Sequence, residues 1–276
     1  HGRTVWRKWG SGPPVMLFHG GSGSWSHWIA NIPVLARDYT VYAVDIPGMG
    51  DSDPYLGTDL DLLPGEVNDI RDPIDPAWQP PTIPMPALAR GLARDIETLC
   101  PDEQVSLVGF SFGGMTASNV AAVIPQKIRR IILSGAAGLV QRNPQMKALA
   151  TWRFASTPDE LAVIQKQNVE ILMVHDTRFA DDLAVNIQVL NGLRTLSRKL
   201  PRNATTIAAL EKAQPRIDAI WGQYDAISGW KTDDIKQEFL RIDPDSRFHI
   251  IAGGGHWVAY EGADEFNVEL KKMLGR

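Results

Sequence analysis

Three residues set far apart in the chain have the types needed for acyl-transfer chemistry: a serine in "LVGFSFGG", a carboxylate in "AIWGQYDAI" and an imidazole in "GGGHW". In the first, Gly109, Ser111 and Gly113 make a G-x-S-x-G pattern. Composition alone would produce such a match roughly one time in ten, so its context carries the weight. The apolar run "VSLVG" precedes it and the amphipathic "MTASNVAAVI" follows, which is the strand-to-helix turn that projects a serine hydroxyl from a strained backbone. Phe112, just after the serine, then offers a backbone N–H at a helix start, where no intrahelical acceptor exists.

A serine hydroxyl is a weak nucleophile and needs a base, and the base needs a group to orient it. Of the six histidines, His256 follows the last apolar strand in a glycine-rich loop. His249 lies inside that strand and is expected to be a packed side chain. His19 ends the "VMLFHG" strand and is expected to hold the adjacent loop by hydrogen bonds, while His27 and His175 fall on expected helices and His1 is terminal. Asp225 comes directly after the strand "RIDAIWG", whereas Asp218 precedes most of that strand and would lie at its wrong end. The order Ser111, Asp225, His256 is the order of a hydrolase triad on a parallel sheet. The turn "FHGGSGSW" supplies exposed N–H groups, and Gly21 N–H together with Phe112 N–H are expected to form an oxyanion hole. Trp25, Phe110 and Trp257 flank these motifs and are expected to contact substrate; Phe112 and Met115 also lie close, and Trp152 or Phe154 are expected to reach down from above.

To bring those residues together the chain needs a sheet with its carboxyl ends along one edge. The runs "PVMLFHG", "TVYAVDIPG", "VSLVGFS", "RRIILSGAAG", "RIDAIWGQYD" and "RFHIIAGGGH" read as strands. They alternate with helices expected from Trp25 to Arg37, Ala87 to Leu99, Phe112 to Ile124, Thr232 to Leu240 and Ala263 to Leu274. The pattern implies an α/β fold, a mostly parallel doubly wound sheet, with a helical cap inserted between strands. The division expected is a first core part over 1–138, a cap over 139–212 and a second core part over 213–276. A proline-rich excursion over 55–86 interrupts the first part, because so many missing N–H donors exclude a central strand or a long helix.

Composition narrows the partners. The net charge of −4 comes from 28 basic and 32 acidic residues spread along 276 positions, so no basic stripe is available for nucleic acid. No apolar run approaches the roughly 18 to 20 residues that span a bilayer, and the opening "HGRTVWRKWG" lacks a signal peptide's apolar centre. A cytoplasmic address and no membrane partner are the expectation. The single cysteine, Cys100, excludes an internal disulfide and is expected to be a buried, inert thiol. Neither paired cysteines nor H-E-x-x-H occurs, and neither a P-loop nor G-x-G-x-x-G is present, so no metal and no cofactor are expected. A small-molecule substrate is the expected partner, and self-association is left open.

Together "HGGSGSW", "DIPGMGDSD", "GFSFGG", "WGQYD" and "GGGHW" resemble the α/β-hydrolase superfamily, in its serine-nucleophile branch, from about Pro14 to the C-terminus apart from the proline loop and cap. "GGGHWVAYEGADEFN" and "FGGMTASNVAAVIPQKIRRIILSGAAGLV" are more narrowly similar to the carbon–carbon bond hydrolases of aromatic ring-fission products and to related esterases. That resemblance implies an aromatic after the catalytic histidine, matched by Trp257, and usually an asparagine before the nucleophile, where this chain has Phe110. It also implies a cap arginine, for which Arg194 and Arg198 are candidates. The expectation is a serine hydrolase cleaving carboxylic esters of small apolar or aromatic substrates through an acyl-enzyme. Carbon–carbon cleavage of ring-fission dienoates is the alternative, and a non-catalytic receptor on the same fold is the alternative of another class.

Overall fold

A computed structural model describes residues 2–54, 85–152, 155–195 and 206–275. Seven strands form one sheet: β1 (Val5–Trp9), β2 (Pro14–Phe18), β3 (Thr40–Asp45), β4 (Val105–Phe110), β5 (Ile128–Ser134), β6 (Ile217–Gly222) and β7 (Arg247–Ile251). Their order is β1-β3-β2-β4-β5-β6-β7. β1 pairs antiparallel with β3 and every other pairing is parallel. β4 and β6 are buried along their whole length, as parallel strands covered on both faces must be.

Helices cover the two faces. Around α2 (Met85–Leu99) and α3 (Phe112–Val123), Met16, Phe18, Leu107, Ile131 and Trp221 build one apolar core. On the other face Leu17, Val108, Ile132 and Ile220 pack toward Trp28, Trp257 and α9 (Ala263–Leu274). The remaining helices are α1 (Ile32–Leu35), α4 (Pro158–Asn168), α5 (Asp182–Leu193), α6 (Thr206–Ala213), α7 (Thr232–Ile242) and α8 (Val258–Glu261). No helix among the described residues is long and apolar enough to cross a membrane.

The differences from the sequence expectation have local causes. β1 was not anticipated: its "VWRKW" carries two cations and lies at the sheet edge, where Arg7 pairs with Asp45 at 2.7 Å and with Asp51. The helix expected from Trp25 to Arg37 is instead a 3₁₀ turn, Trp25–Trp28, followed by the four-residue α1. Asn31 divides the two; its buried Nδ2 donates to Ala259 O and Asn267 Oδ1, and Pro33 cannot continue a helix from the preceding turn. Met85 and Pro86, at the end of the expected excursion, open α2, and the rest of that excursion lies outside the described residues. Between β5 and β6 the described residues hold α4, a π-helical turn, Val169–Met173, joined to it, α5 and α6, after an irregular stretch that runs from Gly135. Cys100 is buried beside α2, and burial raises its thiol pKa.

Candidate active site

Each motif residue follows a strand at the carboxyl edge of the sheet, where open parallel sheets hold their sites: Gly21 after β2, Ser111 after β4, Asp225 after β6 and His256 after β7. Ser111 has φ 51° and ψ −116°, a left-handed backbone that is costly for any residue with a Cβ. Its N–H donates to Ser134 O at 2.9 Å and its carbonyl accepts from Gly114 and Ala137, so neighbouring backbone holds the strain. A side chain at Gly113 would meet Phe18 O at 2.2 Å, which is why the turn ends in glycine. Phe112 N–H sits in the first turn of α3.

Asp225 and His256 form the second part. Asp225 Oδ2 lies 2.7 Å from His256 Nδ1, and both side chains are buried. Asp225 Oδ1 accepts from Ile227 N–H at 2.8 Å and Ser228 N–H at 2.9 Å. Burial pushes the Asp225 carboxyl up, but His256 and the two N–H donors outweigh it and the net shift is downward from 3.8. Its contribution to stability is therefore complete above about pH 3.8 and lost as pH falls through the lower folded value. Asp218, the rejected acid, is bound to Arg130 at 2.7 Å near the amino end of β6.

Gly135 decides whether that pair can exist. It has φ +52°, and a Cβ there would sit 2.9 Å from both Asp225 Oδ2 and His256 Nδ1. Gly135→Ala is expected to displace the imidazole and lower kcat by about 100-fold, consistent with the cost of small misplacements in such sites, while steady-state kinetics show KM little changed. Ser111 does not hydrogen-bond to His256 here, yet the two share neighbours. The Phe110 ring lies 5.0 Å from the His256 ring, and a Cβ on Gly20 would touch both Phe110 and, at 3.4 Å, Ser111 Cβ.

Two buried histidines hold the loop after β2. His19 Nε2 accepts from Ile46 N–H at 2.9 Å, so Nδ1 carries the proton and donates to Gly20 O at 2.7 Å. His27 Nδ1 accepts from Gly20 N–H at 3.2 Å. Burial lowers both pKa values from 6.5, assisted at His27 by His19 and His256, and the effect is large for His27. A histidine kept neutral in the fold binds more protons when unfolded, so stability is lost as pH falls below about 6.5. The slope is at most about 1.4 kcal/mol per pH unit per histidine. Urea midpoints at pH 7.5 and 5.5 are expected to drop in the wild type and to drop less in His27→Asn.

Glu261 was not anticipated from sequence. Its buried carboxylate accepts from Gly255, His175 and Asp176 N–H groups, tying the His256 loop to the segment after the π-helical turn. Glu261→Leu would orphan three donors, at about 1–3 kcal/mol each before relaxation, so a loss of about 3 kcal/mol or more is expected in equilibrium unfolding. An acid five residues after His256 in "HWVAYE" gives no sequence signal, because its partners are backbone groups. His175, expected on a helix, lies in a bend and stacks on Tyr224 at 3.9 Å. His249, expected to be packed, sits half-exposed on edge strand β7 with Nε2 2.7 Å from Glu265.

A cavity of about 240 Å³ lies beneath the helical segment, walled by Gly21, Ser22, Trp152, Gln165, Leu172 and Gln188 among others. Neither Ser111 nor His256 walls this cavity. Phe110 and Trp257 are fully buried: Phe110 packs on His27 and His256, and Trp257 Nε1 donates to His27 O at 2.8 Å. Trp25 leans on Trp9 and beneath the Arg7 guanidinium. None of the three walls the cavity. Met115 is buried in the core, Trp152 does line the cavity, and Phe154 and Arg198 lie outside the described residues. Arg194 caps α5 and pairs with Asp51 at 3.2 Å.

Comparisons with known proteins agree with this geometry at the level of the fold. The chain is 26% identical over 272 residues to a dihydrolipoyllysine-residue acetyltransferase component of an acetoin cleaving system from Pseudomonas putida, covering 95% of this chain and 64% of that protein. It thus spans about two thirds of that relative's length. It is 27% identical over 281 residues to a 2-hydroxy-6-oxo-6-phenylhexa-2,4-dienoate hydrolase from Burkholderia cepacia, covering 94% of this chain and 86% of the other. Among solved structures, a meta-cleavage product hydrolase from Pseudomonas fluorescens IP01 superposes with a TM-score of 0.74 at 20% identity, over 99% of this chain and 94% of the other. Residues 13–263 match the family described as alpha/beta hydrolase fold, and the chain is a member of that family.

Proposed function

We propose that the chain is a serine hydrolase of carboxylic esters with small apolar or aromatic groups. The observation that carries the reading is the strained Ser111 on the β4–α3 turn, at the same sheet edge as a buried His256 whose Nδ1 is bonded to Asp225. With Asp225 accepting at Nδ1, His256 Nε2 is left as the base for the Ser111 proton. Ser111 Oγ attacks the ester carbonyl, and the N–H groups of Gly21 and Phe112 hold the resulting oxyanion. The imidazolium returns its proton to the departing alcohol, leaving an acyl-enzyme. Water then gives a proton to His256, attacks the acyl carbon and releases the acid, restoring Ser111.

Apolar substrates suit the cavity, which meets the proposed site at Gly21 and is walled by neither Ser111 nor His256: it combines Leu149, Leu172 and Met173 with uncharged amides and, among the described residues, contains no cation. The second reading, carbon–carbon hydrolysis of a dienoate, is favoured by the likeness to the Burkholderia cepacia enzyme. A panel of aryl esters, thioesters, lactones and a ring-fission dienoate, assayed with wild type and Ser111→Ala, decides between them. The ester reading expects kcat/KM for aryl esters to exceed that for the dienoate by at least 100-fold; the reverse ratio overturns it.

A further inference from the structure

Both backbone polar groups of Gly20, the N–H of the peptide before it and the carbonyl of the peptide after it, are gripped by side chains the mechanism above does not use. His19 Nδ1–H holds the Gly20 carbonyl at 2.7 Å, and His27 Nδ1 receives the Gly20 N–H at 3.2 Å. In a trans peptide the carbonyl of one residue and the N–H of the next point in opposite directions, so fixing the Gly20 carbonyl also fixes the aim of the Gly21 N–H. That loop runs against the nucleophile, since a methyl on Gly20 would lie 3.4 Å from Ser111 Cβ. His27 is also one of the points where the helical segment reaches this loop. With Nδ1 accepting, its proton sits on Nε2, 3.2 Å from Gln188 Nε2 of α5; two N–H groups would face each other there, so the amide is to be turned to present its oxygen, an exchange of O and N at the same place. One turn further along α5, Asn191 Oδ1 accepts from Ser24 Oγ at 2.7 Å and from Ser26 Oγ at 3.3 Å, in the same loop.

We propose that His27 is a positioning residue: by holding the Gly20 N–H it fixes the peptide just before the one whose Gly21 N–H His19 aims, and so links the oxyanion donor to the placement of helix α5 through Gln188. The inference rests on the serine-hydrolase reading and adds a device to it: the segment over the cavity sets the oxyanion hole through a Gln188–His27–Gly20 chain. Only an imidazole unprotonated at Nδ1 can accept from Gly20, and burial, with His19 and His256 nearby, lowers the His27 pKa and keeps it in that form.

The test compares the full-length wild type with His27→Phe, His27→Asn, His27→Gln and Ser111→Ala on p-nitrophenyl acetate. Phenylalanine keeps a ring against Phe110 and Trp257 but loses the acceptor; asparagine can place Oδ1 where Nδ1 stands, whereas glutamine places its polar atoms where Nε2 stands. His27→Phe is expected to lower kcat about 10- to 100-fold with KM within threefold, a part of the 10²- to 10³-fold cost of losing a whole donor. Its affinity for a trifluoromethyl ketone, which Ser111 would convert to a tetrahedral oxyanion, should fall by the same factor. His27→Asn should be at least 10-fold more active than His27→Gln, a comparison that stands even if the phenylalanine variant does not fold. Equal activity of the asparagine and glutamine variants, or a raised KM with unchanged kcat in any folded variant, overturns the positioning role. Turnover retained in Ser111→Ala instead overturns the serine-hydrolase reading itself.

Discussion

Ser111→Ala is expected to reduce ester kcat by about 10⁴- to 10⁶-fold while leaving the fold and Tm nearly unchanged. The residual rate would come from the oxyanion donors and from binding alone. Serine supplies only its hydroxyl to the reaction, and the backbone contacts that hold its strained turn, Ser134 O and the Gly114 and Ala137 N–H groups, remain available to alanine. Alanine retains the Cβ and with it the left-handed strain at φ 51°, so no large relief of strain should accompany the change. Steady-state kinetics together with a thermal melt check both halves of this result.

Asp225→Asn is expected to lower kcat by about 10⁴-fold, again with modest effect on folding. The reason lies in how the carboxylate is held. Ile227 and Ser228 both donate to Oδ1, so an asparagine would keep its carbonyl oxygen at that place. Its NH₂ would then face His256 Nδ1, where Oδ2 now stands at 2.7 Å. An imidazole meeting a donor at Nδ1 must accept there and carry its proton on Nε2, the position that has to take the Ser111 proton. The base is present but in the wrong tautomer. Activity measured between pH 6 and 9 should stay depressed throughout, because raising the pH does not exchange the tautomer.

The parallel sheet and the order of the site loops were legible because buried strands read as short apolar runs and each chemistry-bearing residue follows one. The seven-residue β5 and the helices α3 and α9 fall close to where their patterns place them. What escaped the sequence depends on tertiary partners. β1 carries Arg7 and Lys8, whose charges hide an edge strand that gains its place from Asp45, Asp51 and the Tyr42 ring. The break at Asn31 is made by contacts to Ala259 and Asn267, more than 200 positions away. Phe110 and Trp257, expected as substrate contacts because they flank motif residues, are buried. Their rings pack on His27, that of Phe110 also on His256, and the cavity walls, Gly21 and Ser22 apart, come from the segment between β5 and β6, which carries no motif. Glu261 and His27 act through backbone groups, so nothing in their sequence neighbourhood marks them.

A binding protein that kept the same fold would also keep the Asp225–His256 bond, so geometry has to be joined to reactivity at the serine itself. The most direct measurement is treatment of the active protein with a fluorophosphonate, followed by intact-mass and peptide mass spectrometry. Attack by Ser111 Oγ forms a phosphorus–oxygen bond and expels fluoride, so the account predicts one adduct per chain, located on Ser111, with loss of ester turnover in proportion to labelling. Asp225→Asn should label at a far lower rate and Ser111→Ala should not label there at all. Ester turnover that persists with Ser111 unlabelled, or an adduct on another residue that tracks the loss of activity, would contradict the assignment of Ser111 as the nucleophile.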